Sequence, residues 1–206
     1  MIKKLIVTLT MTMILLLLTV SCASPTLTPT TTPEPQIPPG FTTYTTEGLF
    51  SISYPPEWEP ATSVMEELFE LAKEWVQSLD PEAQLEGEQM LFIGGLPTEE
   101  GWWWPNVNIA VAPRSVGYWE LDEIVEVESQ WNRELFQGYR EVFRVETVID
   151  AREAIIIESQ VYDRYLQAYI VKGKHVWIVS CTADAEDFKD YEDTFYSVVR
   201  SLRILK

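Results

Sequence analysis

Histidine, cysteine and positive charge are all in short supply in this chain. His175 is the only histidine in 206 residues, so no histidine pair can ligate a metal ion. It alternates with Trp177 and Val179, which reads as a packed or edge position in a strand. Two cysteines, Cys22 and Cys181, are too few for a disulfide framework. Lys and Arg number 15 against 32 Asp and Glu, for a formal net charge of −17. A field of that sign repels nucleic acid and anionic headgroups, which excludes DNA and RNA as partners and keeps an exposed domain soluble. No nucleophile elbow and no glycine-rich phosphate loop is present. Many carboxylates are, but no spacing singles out a catalytic pair.

A long apolar run is missing as well. Lys3 and Lys4 precede an uncharged stretch from Leu5 to Val20, shorter than the roughly 20 residues a spanning helix needs. A basic start, a short apolar run and a small-residue cleavage site make a secretory signal. The run ends in Leu18-Thr19-Val20-Ser21-Cys22, which resembles a bacterial lipobox, with Thr19 where Leu is commonest. The resemblance implies cleavage after Ser21, acylation of Cys22 and residence outside the cytoplasm, on the cell membrane or an outer membrane. Several acyl chains hold far better than one, at about 0.8 kcal/mol per buried methylene.

Residues 22–40 then form a linker. Ser24 to Gly40 reads SPTLTPTTTPEPQIPPG, a composition that cannot pack a core. Proline-rich chain favours an extended stalk that reaches about 50 Å at ~3.1 Å per residue.

Residues 41–206 have the size and composition of a single globular domain. Phe41–Thr46 and Leu49–Tyr54 read as paired strands around Glu47-Gly48, with Phe50, Ile52 and Tyr54 alternating against serines. Pro55-Pro56 ends them. Ser63 and Glu66 form a capping box for a helix over 63–79. Met90–Ile93 and Asn106–Val111 are the next strands, separated by a loop over 94–105. A helix over about 120–137 presents Leu121, Ile124, Val125, Trp131 and Leu135 on one face, with Gly138 at its end. Strands follow at 140–149, 152–160, 161–171 and, after Lys172-Gly173-Lys174, 175–182. There Cys181 reads as a buried, unreactive thiol. A last helix begins near Asp184 and carries Phe188, Tyr191, Phe195, Val198, Val199 and Leu202 on one face, acidic at its start and basic at its end. The pattern predicts an α+β domain, a single antiparallel sheet sandwiched by helices.

The segment Leu49-Phe-Ser-Ile-Ser-Tyr-Pro-Pro-Glu-Trp58 resembles the opening signature of PsbP-like domains. The closing part is similar too: the hairpin Tyr169-Ile-Val-Lys-Gly-Lys-His-Val-Trp-Ile-Val, then a helix ending Val198-Val-Arg-Ser-Leu-Arg203. The resemblance implies an α/β/α PsbP-like fold, shared by photosystem II extrinsic subunits, DcrB-type lipoproteins and a Ran-GTPase-binding protein. Their common thread is docking onto other proteins, and fold alone does not transfer a function.

Among candidate sites, the acidic groups Asp184, Glu186, Asp187, Asp190 and Asp122, Glu123, Glu126 lack the glycine-turned loop that calcium prefers, so they read as helix starts and solvated faces. The most unusual feature is Gly101-Trp102-Trp103-Trp104-Pro105 beside Glu99 and Glu100. As a strand it would send Trp103 opposite to Trp102 and Trp104. These indoles either bury one face and cap the sheet edge, or form a contact surface. They could alternatively hold a cation through their ring faces. The expectation is a non-enzymatic docking module with no metal and no cofactor, tethered to the membrane through its lipid and facing an envelope protein. Binding of a small ligand or cation at Trp102–Trp104 is the alternative, and a carboxylate-dependent envelope hydrolase a third.

Overall fold

A computed structural model describes residues 37–61, 70, 89–99, 103–113 and 120–205. The signal, Cys22, most of the linker and the helix expected over 63–79 lie outside the described residues. Strands β1 (Thr42–Thr46) and β2 (Phe50–Tyr54) make the expected hairpin, and β3 (Glu59–Pro60) follows it. Next come β4 (Gln89–Pro97), β5 (Trp103–Pro113) and helix α1 (Leu121–Leu135). A meander of β6 (Arg140–Ile149), β7 (Arg152–Gln160), β8 (Asp163–Lys172) and β9 (His175–Asp184) leads to α2 (Phe188–Ser201) and β10 (Arg203–Ile204).

The large sheet runs β3-β4-β5-β9-β8-β7-β6, antiparallel throughout. The α+β class is as expected, and a second sheet of three strands, β1-β2-β10, accompanies the large one. It arises because the chain leaves α2 and returns beside β2, with Arg203 and Ile204 opposite Ser51 and Phe50. Ser201 locks that return: its Oγ accepts from the Ser53 N–H at 2.8 Å and donates to the Val198 carbonyl at 2.6 Å.

Period-two alternation sorts the large sheet into two faces. One carries Val107, Ile109, Ile156, Leu166, Ala168, Ile170, Trp177, Val179 and Cys181, and packs against α2 and the small sheet. Phe195 anchors this core, with ring centroids 5.4 Å from Phe188, 6.0 Å from Tyr191 and 6.1 Å from Trp58. Across the other face lies α1, with Ile124 and Val125 on Ile155, Ile157, Tyr169, Val176 and Ile178. A sheet clad on both faces reads as long buried runs, and β7, β8 and β9 are buried over most of their length.

Three boundaries differ from the sequence expectation. The predicted loop over 94–105 is largely strand, because β4 continues to Pro97 and β5 begins at Trp103. Gly95 permits this: a β-carbon there would stand 2.3 Å from the Pro105 carbonyl oxygen and 2.9 Å from the Asn106 Cα. The last helix starts at Phe188, so Asp184 ends a strand and Glu186 sits in the turn before the helix. Arg203 belongs to β10 and not to that helix. Among the described residues, no helix is long and apolar enough to cross a membrane.

Candidate functional site

The β4–β5 pairing runs out to the end of the sheet. The last β5–β9 pair is Asn106 with Thr182, while β4 and β5 remain paired out to Pro97 and Trp103. Continuing the β5–β9 register sets Trp104 level with Asp184, the last residue of β9, so Trp103 and Trp104 lie at the end of the sheet. Trp102 lies outside the described residues, and of Trp103 only the backbone is described. Trp104 is half-buried and its indole Nε1–H donates to the Asp184 carboxylate at 3.2 Å. That bond ties the hairpin to the end of β9, where Asp184 stands opposite Asp163 of β8.

Inward from Trp104, on the α1 face, the sheet turns polar. Asn106 pairs with Thr182 and Asn108 with Ser180 across β5–β9, while Tyr165 and Gln167 continue the two rows on β8. All six side chains are buried. The Asn108 amide, the Ser180 hydroxyl and the Thr182 hydroxyl have no hydrogen-bond partner among the described residues. Apolar alternation does not single out this band. Its signal in the sequence is the substitution of Asn, Ser and Thr at alternate positions, in Asn106-x-Asn108 and Ser180-x-Thr182.

Helix α1 continues the band from above. Its first half buries the expected Ile124 and Val125, but its second half buries Glu128, Ser129 and Asn132. Asn132 Nδ2 donates to Glu128 Oε1 at 3.5 Å. Burial pushes the Tyr169 phenol well above its ordinary range, and the nearby Glu128 adds to it. Burial also raises Tyr139. At the rim, Arg144 forks onto Glu141 at 2.8 and 2.7 Å and reaches Glu126 and Ser129 at 3.3 Å. The Glu141 bonds are the main reason its guanidinium is held still more firmly protonated.

The other candidates scatter. His175 is exposed at the start of β9, beside the Gly173-Lys174 turn. Cys181 is fully buried on the α2 face, and burial pushes its thiol far up. Among the described residues, no group of three His, Cys, Asp or Glu side chains is arranged to hold a metal ion. What is gathered at one end of the sheet is the β4–β5 hairpin with Trp104, the paired Asp163 and Asp184, and the buried polar rows inward of them.

The sequence matches no family model and no curated protein. Solved structures match in shape. Cyanobacterial PsbP (CyanoP) from Synechocystis sp. PCC 6803 superposes with a TM-score of 0.52 at 9% identity, over 80% of this chain and 92% of that one. LpqN of Mycobacterium tuberculosis, a protein involved in cell envelope biogenesis, gives 0.49 at 9% identity, over 82% and 87%. PA94 of Pseudomonas aeruginosa gives 0.46 at 11% identity, over 78% and 94%. The likeness to CyanoP concerns the fold: this chain has the PsbP-like architecture that its first and last segments resemble.

Proposed function

We propose that the chain is an extracytoplasmic module, tethered by lipid at Cys22, that performs no catalysis and docks onto another envelope protein through the β4–β5 hairpin tip. The observation that carries this reading is the half-buried Trp104 held at the sheet end by its bond to Asp184, where β4 and β5 stay paired past the last β5–β9 pair. An aromatic anchor held in place at a sheet end favours binding because little rotamer freedom is lost on contact. Trp104 is already oriented by its bond to Asp184. The signal-like N-terminus and the proline-rich stalk supply the address and the reach, and the hairpin supplies the contact.

A photo-crosslinker at Trp103 of the lipidated chain, in its native membrane, tests this directly. One discrete protein adduct, lost when Trp102 and Trp104 become Ser, is the expected outcome and identifies the partner. A folded, surface-displayed chain that yields no protein adduct would exclude the hairpin as a docking site. A second reading draws on Asp184, bonded to the edge of the half-buried Trp104 ring and opposite the buried Asp163: a carboxylate beside an indole suits a small cationic ligand. Quenching of tryptophan fluorescence by an organic cation, abolished in Asp184→Asn, would favour it over docking.

A further inference from the structure

The two edges of the large sheet are unlike. The β3 edge is two residues long and contains Pro60, which cannot donate to a ladder. The β6 edge is ten residues long, has neither proline nor glycine, and among the described residues pairs on one side only, with β7. Such an edge is a template for another strand unless it is covered, charged or twisted away. A bulge between Glu141 and Phe143 interrupts its start, but from Phe143 to Ile149 the register is regular. This stretch shows apolar side chains to solvent: Phe143 is 45% and Val145 37% exposed, with Val142 beside them at 40%. The β1 edge of the small sheet offers a contrast, since its exposed residues are Thr42, Thr43 and Thr45.

We propose that β6 is an interface with a second copy of this chain, the two strands pairing antiparallel about a two-fold axis at Val145. The register follows from charge. Arg144 faces the α1 side with Ile157, and Glu146 shares that side opposite Ile155. With Val145 against Val145, Arg144 of each copy falls opposite Glu146 of the other, twice over. On the α2 side, Phe143 then lies against Thr147, flanking the central valines. Moving the axis one residue to Arg144 sets that guanidinium against its own copy, and like charges directly opposed are destabilising. The Arg-Val-Glu sequence is thus complementary to itself under a two-fold, as an isologous interface requires. Arg144 is already held in place by Glu141, Glu126 and Ser129, so presenting it costs little further ordering. The paired edge would extend the sheet continuously through both copies and cover the exposed Phe143 and Val145.

Directly opposed residues of an antiparallel pair have Cα atoms about 4.5–5.5 Å apart, within the span of a disulfide. Val145→Cys in the full chain, purified in detergent and mildly oxidised, is therefore expected to give a covalent dimer. Lys174→Cys, in the exposed β8–β9 turn, is the control and is expected to stay monomeric, as is the parent chain. Adding Glu146→Arg to Val145→Cys sets Arg against Arg144 and is expected to cut the yield roughly tenfold, with the thermal melt unchanged. Equal yields from Val145→Cys and Lys174→Cys would overturn the interface. Undiminished cross-linking with Glu146→Arg would overturn the register. A disulfide from the Val145→Cys variant to a different protein in native membranes would overturn the choice of occupant. The hairpin at Trp103 lies at the other side of the sheet, so loss of its adduct leaves these outcomes unaffected.

Discussion

The thiol of Cys181 tests both the core and the anchor. Cys181 lies on β9, with β5 paired on one side and β8 on the other, and it is fully buried with Trp177 and Val179. Only the thiolate attacks a disulfide reagent, and burial pushes this thiol far from ionising. The reagent reaches it when β9 parts from its neighbours, an opening that costs close to the full stability of the domain. With that stability at about 5–15 kcal/mol, the native reaction is slowed by at least about three orders of magnitude against the unfolded chain. The assay is labelling with a chromogenic disulfide in buffer and in guanidinium, with peptide mass mapping of the product. The expected result is no fast thiol in buffer and a single thiol in denaturant, because Cys22 is silent when acylated as proposed. Fast labelling mapped to Cys181 in buffer would refute the central position of β9. A second thiol mapped to Cys22 would refute the anchor while leaving the core untouched.

Four substitutions probe the rest. Phe195→Ala removes the ring that touches Phe188, Tyr191 and Trp58, and is expected to cost about 3–5 kcal/mol in chemical denaturation; a loss near zero would mean α2 does not pack as described. Ala151→Gly relieves a left-handed residue (φ 56°) in the β6–β7 turn, where Asp150 is also left-handed, and converts it to the Asp-Gly pair such turns prefer. It is expected to stabilise by about 1 kcal/mol, and an unchanged melting temperature would argue against that turn. Gly95→Ala drives a methyl group into the Pro105 carbonyl, with an expected cost of about 1–3 kcal/mol and altered tryptophan emission from the displaced hairpin; wild-type stability and emission would show that β4 and β5 are not so close there. Ser180→Ala deletes a buried hydroxyl with no partner among the described residues, so the unfolding free energy from urea denaturation is expected to hold or rise by up to about 1 kcal/mol; a loss above that would reveal a bond to Ser180.

Much of this fold is legible because the signals are local. Phe50, Ile52 and Tyr54 alternate cleanly and do form a strand facing the core. The spacing of Phe188, Phe195, Val198, Val199 and Leu202 marks the α2 face, and all are buried. The β4–β5 extension is not legible, because Gly94-Gly95 and Trp104-Pro105 read as punctuation. Only the pairing partner makes them strand, and Gly95 does so by letting another backbone approach. The small sheet is hidden for a related reason: β10 is two residues long and pairs with a strand about 150 positions earlier, a contact no periodicity reveals. At the hairpin, composition picks out the tryptophans but cannot supply Asp184 as the partner of Trp104. That pairing joins residues 80 apart, and Asp184 by its local surroundings reads as a helix start.

The two faces of the sheet place different demands on the sequence. On the α2 side β4 to β9 each contribute apolar residues, and Phe195 and its neighbours close the packing. On the α1 side β9 changes from Ile178 to Ser180 and Thr182 and β8 from Tyr169 to Gln167, while β7 stays apolar through Ile157 before Ser159. Buried polar groups cost free energy unless bonded, so an apolar row would serve stability better. Helix α1 follows the switch, changing from Ile124 and Val125 to Glu128, Ser129 and Asn132 along its buried stripe. Helix and sheet thus both bury polar side chains, and Tyr139 lies between Ser129 of α1 and Ser159 of β7. The polar rows point toward the end of the sheet that bears Trp104 and Asp184. A stabilising outcome for Ser180→Ala would therefore mark this end as retained for something other than stability, which is the end where docking is proposed.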